Sequence, residues 1–233
     1  MSVSGDSLRQ KTVAVLGGTS GIGRAVALAA AEAGAQVYVL GRSIAQAGPW
    51  QSLHADVADL DGLRQTFAAI GGIDHLVLTA GARVGSPKLA DATRDDFRQV
   101  FEVKLFGNLL AVQQALPYLS ADASITFTSG LLARKYGAGG LLKSTVNAAL
   151  EAATRNLAKE LAPRRVNAVS PGVVDTELWG EAASRQATLA RIASGLPLGR
   201  VGRPQDLAQA YLFAMGNAFL TGAVLDVDGG GLL

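Results

Sequence analysis

Short runs of β-branched and apolar residues recur along the chain, separated by longer stretches whose apolar residues are spaced for helices. TVAVLG (Thr12 to Gly17), QVYVLG (Gln36 to Gly41), HLVLTA (His75 to Ala80), SITFTS (Ser124 to Ser129), RVNAVS (Arg165 to Ser170) and AVLDV (Ala223 to Val227) lack the polar alternation of a half-exposed strand. Such runs suit strands covered on both faces, as in a parallel sheet. Between them, the Ala-, Leu- and Glu-rich segments Ile22 to Ala33, Asp95 to Leu119 and Thr145 to Leu161 carry helical spacing. Repeated strand–helix–strand units predict an α/β fold built on a doubly wound parallel sheet. No internal repeat, low-complexity tract or Pro/Gly/Ser-rich linker divides the chain, so residues 1–233 are expected to form one domain. The stretch from Gly172 to Leu198 has no strand pattern, which makes about 174–198 the expected substrate lid.

Composition narrows the chemistry. With 233 residues, 49% of them hydrophobic, the chain can bury one large core. Its formal charge is +2 and its pI about 9.0, yet no Lys/Arg run forms the patch that nucleic acid or anionic lipid requires. Neither nucleic acid nor a membrane is an expected partner; a small-molecule substrate is. The absence of cysteine excludes disulfides, thiolate catalysis and Cys-ligated zinc. Two isolated histidines, His54 and His75, make neither a metal site nor a dyad, so no metal is expected. The N-terminal MSVSGDSLRQK lacks the apolar core of a signal peptide, and no stretch reaches the roughly 18 apolar residues of a membrane span. A soluble cytoplasmic protein is the expectation.

The first strand pattern leads into GGTSGIGRA. Gly17, Gly21 and Gly23 would let the backbone turn sharply, approach a pyrophosphate and pack the following helix closely, and Gly18 leaves the turn less hindered still. The helix start would offer its N–H groups and dipole to the anion. Glycines also serve ordinary tight turns; the strand before and the helix after favour a dinucleotide.

Further motifs follow in order: HADVAD with Asp56 and Val57, TAG (Thr79 to Gly81), TRNLAKELAP, VNAVSPGVVDT, GRVGRPQDLA and LTGAVLDVDGG. With these and its G-x-x-x-G-x-G spacing, the chain resembles the short-chain dehydrogenase/reductase family from about Thr12 to Gly230. The resemblance implies a Rossmann-type sheet of about seven strands in a three-layer α/β/α arrangement. It also implies NAD(P)H across the carboxyl ends of the strands, and a homotetramer or homodimer. The cofactor-binding residues it implies are Gly17, Thr19, Ser20, Gly21, Ile22 and Gly23 in the turn, Asp56 and Val57 on the adenine side, and Thr79, Ala80 and Gly81. Pro171, Gly172 and Val173 would line the nicotinamide, with Thr176 near its carboxamide or the pyrophosphate.

The second strand pattern ends in VLGRS, so Gly41 stands where an acid would meet the ribose 2′-hydroxyl of NAD, and Arg42 follows. That pair suits a 2′-phosphate, hence NADP(H), with Ser43 adding a hydroxyl contact. One charge-assisted contact is worth roughly 1.5–3 kcal/mol, about a ten- to hundredfold preference. The plainer alternative is a solvated arginine on a loop.

In most of the family a serine polarises the substrate carbonyl, a tyrosine delivers the proton, a lysine four residues on lowers the tyrosine pKa and holds the ribose, and an asparagine orders a relay water. Ser129 fits the first role. Counting back from TRNLAKELAP puts Lys143 in the tyrosine slot and Asn147 in the lysine slot; counting forward from Ser129 gives Leu142 or Lys143. FEVKLFGN puts Lys104 where the asparagine would be. Tyr136, seven residues before Lys143, resembles the wider spacing of the family's enoyl-reductase branch. Gly137, Gly139 and Gly140 instead predict a loop tyrosine, brought to the pocket by that loop or merely packed or exposed. Asp95 and Asp96 are expected to favour a helix N-terminus, and Trp179 to cover substrate or bury its ring. The expectation is an NADP(H)-dependent reductase of a carbonyl- or imine-like substrate. In it Lys143 is proton donor or electrophilic clamp beside Ser129, Lys104 tunes it, and Asn147 holds the ribose. Its rival is a nucleotide-binding regulator or subunit partner that has lost turnover.

Overall fold

The computed structural model describes residues 8–44, 47–81, 85–180 and 182–233. Its centre is one parallel sheet of seven strands: β1 (Thr12–Leu16), β2 (Gln36–Gly41), β3 (Gln51–His54), β4 (Ile73–Leu78), β5 (Leu119–Thr128), β6 (Arg165–Pro171) and β7 (Val224–Val227), ordered β3-β2-β1-β4-β5-β6-β7. The helices are α1 (Gly21–Glu32), α2 (Leu60–Ile70), α3 (Arg94–Phe101), α4 (Asn108–Ala115), α5 (Leu141–Glu160), α6 (Ala182–Ala193) and α7 (Pro204–Gly216).

Alternate residues of each strand face opposite layers, as the two-residue period of a strand requires. Ala14 and Leu16 of β1 join Leu63 and Phe67 of α2, Ala111 and Ala115 of α4 and Leu150 of α5 in one core. Val13 and Val15 join Val26 and Ala30 of α1 and Leu207 and Tyr211 of α7 in the other. The result is the three-layer arrangement of a Rossmann-type fold, and every residue in these two sets is fully buried or nearly so. Among the described residues no helix is long and apolar enough to cross a membrane.

Three features depart from the sequence pattern. β3 reads QSLH, has no apolar run, and pairs only with β2 at the edge of the sheet, so the hydrophobic pattern passes over it. The helix expected from Asp95 to Leu119 is broken into α3, a π-helical turn over Glu102–Gly107, α4 and a 3-10 turn over Leu116–Tyr118, and Leu119 already opens β5. At Gly107 a Cβ would lie 2.7 Å from Val57 Cβ and 2.9 Å from the Glu102 carbonyl, so the π turn presses against the segment after β3 where no side chain fits. α5 begins at Leu141, four residues before the expected Thr145, which makes Lys143 and Asn147 both helical. Asp96 does favour a helix start: it accepts from the Thr93 N–H at 2.9 Å while Thr93 Oγ1 accepts from the Asp96 N–H at 3.2 Å, a reciprocal cap on α3.

Candidate active site

Strand order reverses direction at β1, whose neighbours are β2 and β4, and ligands of open parallel sheets bind in the crevice at such a point. The chain leaves β1 through Gly17 at φ 85°, where a Cβ would fall 2.7 Å from both the Ala80 nitrogen and Thr79 Oγ1. Gly23, in the first turn of α1, is tighter: its Cβ would sit 2.4 Å from the Gly17 carbonyl and from Thr79 Oγ1. Thr79 Oγ1 donates to the Leu16 carbonyl at 3.0 Å. Turn, helix start and the end of β4 are thus locked together.

The Ser20 side chain makes no capping bond and no acidic residue occupies the first turn of α1. Amide donors are left for an anion, as a pyrophosphate would need. Thr19 and Ile22 are half-buried in this turn. Thr176, buried beyond β6, faces Gly21, with Cγ2 3.3 Å from the place of a Cβ there.

On the β2 side, Gly41 is buried and a Cβ on it would lie 2.7 Å from Thr19 Cγ2. Arg42 and Ser43 are exposed, and Arg42 has no ion pair among the described residues. The Asp56 carboxylate is held by the Ala58 N–H at 3.0 Å, and Val57 packs over Gly107. The Ala80 carbonyl accepts from Asn108 Nδ2 at 3.1 Å; Gly81 after it is exposed. Across the crevice, Pro171 ends β6 and Gly172 passes the Asp228 backbone so closely that a Cβ would be 2.6 Å from its Cα. The Val173 carbonyl accepts from the Gly202 N–H at 2.9 Å.

Ser129 is buried just past β5, its N–H donating to the Val169 carbonyl at 2.8 Å. Its Oγ donates to Glu151 Oε1 at 3.0 Å and to the Asn147 carbonyl at 3.3 Å. Glu151, also buried, accepts from Arg134 at 3.2 Å, and Arg134 in turn reaches Ser170 Oγ at 3.2 Å and Asp226 Oδ2 at 2.6 Å. This carboxylate–guanidinium cluster is absent from the sequence expectations. Its one sequence signal is a glutamate four residues beyond Asn147 within the small apolar stretch NAALEAA.

Lys104 lies in the π turn and donates from Nζ to the Ser129 carbonyl at 3.0 Å. The residue keeps some accessible surface, but its ammonium is enclosed enough that desolvation, with the nearby Lys143 charge second, lowers its pKa to about 8. Lys143 is half-buried, donates to Ser86 Oγ at 2.9 Å, and has its pKa lowered by burial. Asn147 is buried; Nδ2 stands 3.5 Å from the Gly130 carbonyl, and Oδ1 has no partner among the described residues. Ser129, Lys104 and Asn147 are therefore brought together, with Lys143 close enough for its charge to be felt by Lys104.

Tyr136 is not part of this gathering: its residue is 79% exposed, on the loop before α5. The glycines expected to break the helix do so. Gly139, at φ 76°, approaches the Ser86 carbonyl so closely that a Cβ would be 2.5 Å away. Trp179 donates from Nε1 to the Val174 carbonyl at 2.9 Å and stays 38% exposed. His75 is buried against Ser124 with Nδ1 2.8 Å from Oγ, while His54 ends β3 in solvent. Among the described residues no group of three or more His, Cys, Asp or Glu is placed to hold a metal.

A family model described as Enoyl-(Acyl carrier protein) reductase matches residues 17–231. The Short-chain dehydrogenase/reductase ATR9 of Stachybotrys chlorohalonatus is 34% identical over 97% of this chain and 99% of that protein. Carbonyl reductase family member 4 of Danio rerio is 34% identical over 93% and 95%. A small-chain dehydrogenase solved in complex with NADPH is 40% identical, with a TM-score of 0.86 over 96% of this chain and 99% of that one. Likeness of this extent, over a sheet, glycine turn and crevice already of that design, makes the chain an oxidoreductase of the short-chain dehydrogenase/reductase family.

Proposed function

We propose that the chain is an NADP(H)-dependent reductase of a carbonyl- or imine-like small molecule, with Lys143 as its proton donor and Lys104 tuning it. The observation that carries this reading is the lysine pair itself. Two ammonium groups with lowered pKa stand where the sheet's carboxyl ends meet α5, and neither has a carboxylate partner among the described residues. Burial makes the Lys143 ammonium give up its proton more readily than a free lysine would, as acid catalysis requires. Gly41 followed by Arg42, which has no ion pair among the described residues, favours the 2′-phosphorylated dinucleotide, as does the NADPH held by the 40% identical dehydrogenase.

When bound, NADPH supplies a hydride equivalent. The chain's own residues do the rest. Lys143 holds a proton at Nζ and Ser86 Oγ orients it. Asn147, whose buried Oδ1 has no partner among the described residues, would hold the ribose by neutral hydrogen bonds. The Ser129 hydroxyl is engaged by Glu151, so polarising the substrate falls chiefly to the lysines. Residues 174–198, which carry Trp179, serve as the lid, and 1–233 act as one domain in a homodimer or homotetramer.

The test is NADPH consumption against ketones, aldehydes, imines and enoyl compounds, followed by variants on whichever substrate turns over. Lys143→Met should lower kcat by about a hundredfold or more, while Tyr136→Phe should leave it unchanged. Full kcat in Lys143→Met with loss in Tyr136→Phe would make the loop tyrosine the acid. Cofactor binding without turnover across the screen would favour a regulatory protein.

A further inference from the structure

Dinucleotides lie across the crevice with one mononucleotide on each half of the sheet, so the ends of β4, β5 and β6 receive the nicotinamide half. Lys104 is fastened to that end of β5 through the Ser129 carbonyl, and Lys143 stands on α5 beside it. Among the described residues no carboxylate pairs with either ammonium, and on the loop that carries Ser86 both Lys88 and Asp91 are exposed. On α5, Glu151 is already answered by Arg134, which Asp226 shares. On α3, Asp96 is held in its own cap, while Arg94, Asp95 and Arg98 are exposed; Glu102, in the π turn itself, is exposed too. A nicotinamide received there would bring these two ammonium groups a ring that is neutral when reduced and cationic when oxidised.

We propose that Lys104, assisted by Lys143, selects the oxidation state of the cofactor, so that the protein binds NADPH more tightly than NADP+. The inference rests on the cofactor reading above. The pyrophosphate and 2′-phosphate are the same in both forms, so their attraction to the lysines cancels in the ratio of dissociation constants, and only the ring charge remains. Like charges several ångströms apart in a partly desolvated site repel enough for about a tenfold ratio or more. A reductase gains by this, since the oxidised product is released more readily than the reduced reactant. Because desolvation makes Lys104 titrate at about 8, the ratio should shrink as pH rises through that value and its charge is lost.

The experiment is to titrate the full chain with NADPH by its fluorescence and with NADP+ by displacement of NADPH, across a pH series from neutral to strongly alkaline. About a tenfold or greater ratio at neutral pH is expected, falling towards unity at high pH. In Lys104→Met the neutral-pH ratio should fall below about threefold. In Lys104→Arg, whose charge does not titrate in this range, it should persist where the parent has lost it. Equal dissociation constants in the parent protein, or an undiminished ratio in a folded Lys104→Met, overturn the inference. If Lys104→Met does not fold, a parent ratio that stays constant through the pH series overturns it equally. Binding of neither form overturns the cofactor reading and this inference with it; a loss of turnover with the ratio intact concerns only the proposed reaction.

Discussion

Ser129 Oγ donates to Glu151 Oε1 at 3.0 Å, tying the end of β5 to the third of three polar side chains spaced four residues apart on α5. Lys143, Asn147 and Glu151 succeed one another on that stripe, so one helix presents a cation, an amide and a carboxylate in passing from the crevice into the core. Removing Glu151 would leave Arg134 short of one of its two carboxylates and the Ser129 hydroxyl with only the longer bond to the Asn147 carbonyl. Glu151→Ala should therefore destabilise the protein by about 2 kcal/mol, and Glu151→Gln by less. Urea unfolding midpoints check this; unchanged midpoints in Glu151→Ala would show the cluster to be inert.

Gly23 is held by packing as well as by any ligand. A methyl there meets the Gly17 carbonyl and Thr79 Oγ1 at 2.4 Å, so Gly23→Ala should cost about 1–3 kcal/mol and Gly23→Val should also abolish NADPH binding. Thermal unfolding and an NADPH titration measure the two effects separately. A variant as stable as the parent would mean that α1 shifts freely, contrary to this packing.

Arg42 should decide between the phosphorylated and unphosphorylated cofactors. The parent is expected to bind NADPH about ten- to hundredfold more tightly than NADH, and Arg42→Ala to erase most of that difference while NADH affinity holds. Equal affinities in the parent would remove Arg42 from the cofactor site.

His75 makes stability depend on pH. Burial, with Arg165 and Lys11 in support and Asp74 and Asp122 opposing, lowers its pKa from 6.5 to about 4 in the folded chain. The unfolded chain then binds more protons between those values, so the stabilisation is complete above about 6.5 and is lost as pH falls towards 4, by up to about 3 kcal/mol. His75→Gln, whose amide can hydrogen-bond Ser124 in either direction, should flatten this dependence between about pH 4.5 and 7. Parallel pH profiles for parent and variant would show that the imidazole is not responsible.

The sheet and the glycine turn are legible because they depend on local pattern: apolar strands buried on both faces, then glycines at fixed offsets. β3 escapes since an edge strand of four residues needs no hydrophobic run. The π turn escapes because EVKLFG scores as ordinary helix, and its widening becomes visible only where Gly107 meets Val57. Counting back from TRNLAKELAP sets Lys143 and Asn147 four residues apart, and both fall on α5 because it starts at Leu141 rather than at the expected Thr145. Arg134 and Asp226, 92 residues apart, could not be joined to Glu151 that way, because only the packing of the β5–α5 loop against β7 brings them together.

The closeness of Gly41 to Thr19 sets the terms for redesign of nucleotide choice. An aspartate at the end of β2 is the obvious route to a chain that prefers NADH, yet its Cβ would collide with Thr19 Cγ2 at 2.7 Å. Gly41→Asp alone should therefore disturb the glycine turn before it can reach a ribose. Pairing it with Thr19→Ser, which deletes the offending methyl and keeps the hydroxyl, makes the exchange a two-position edit.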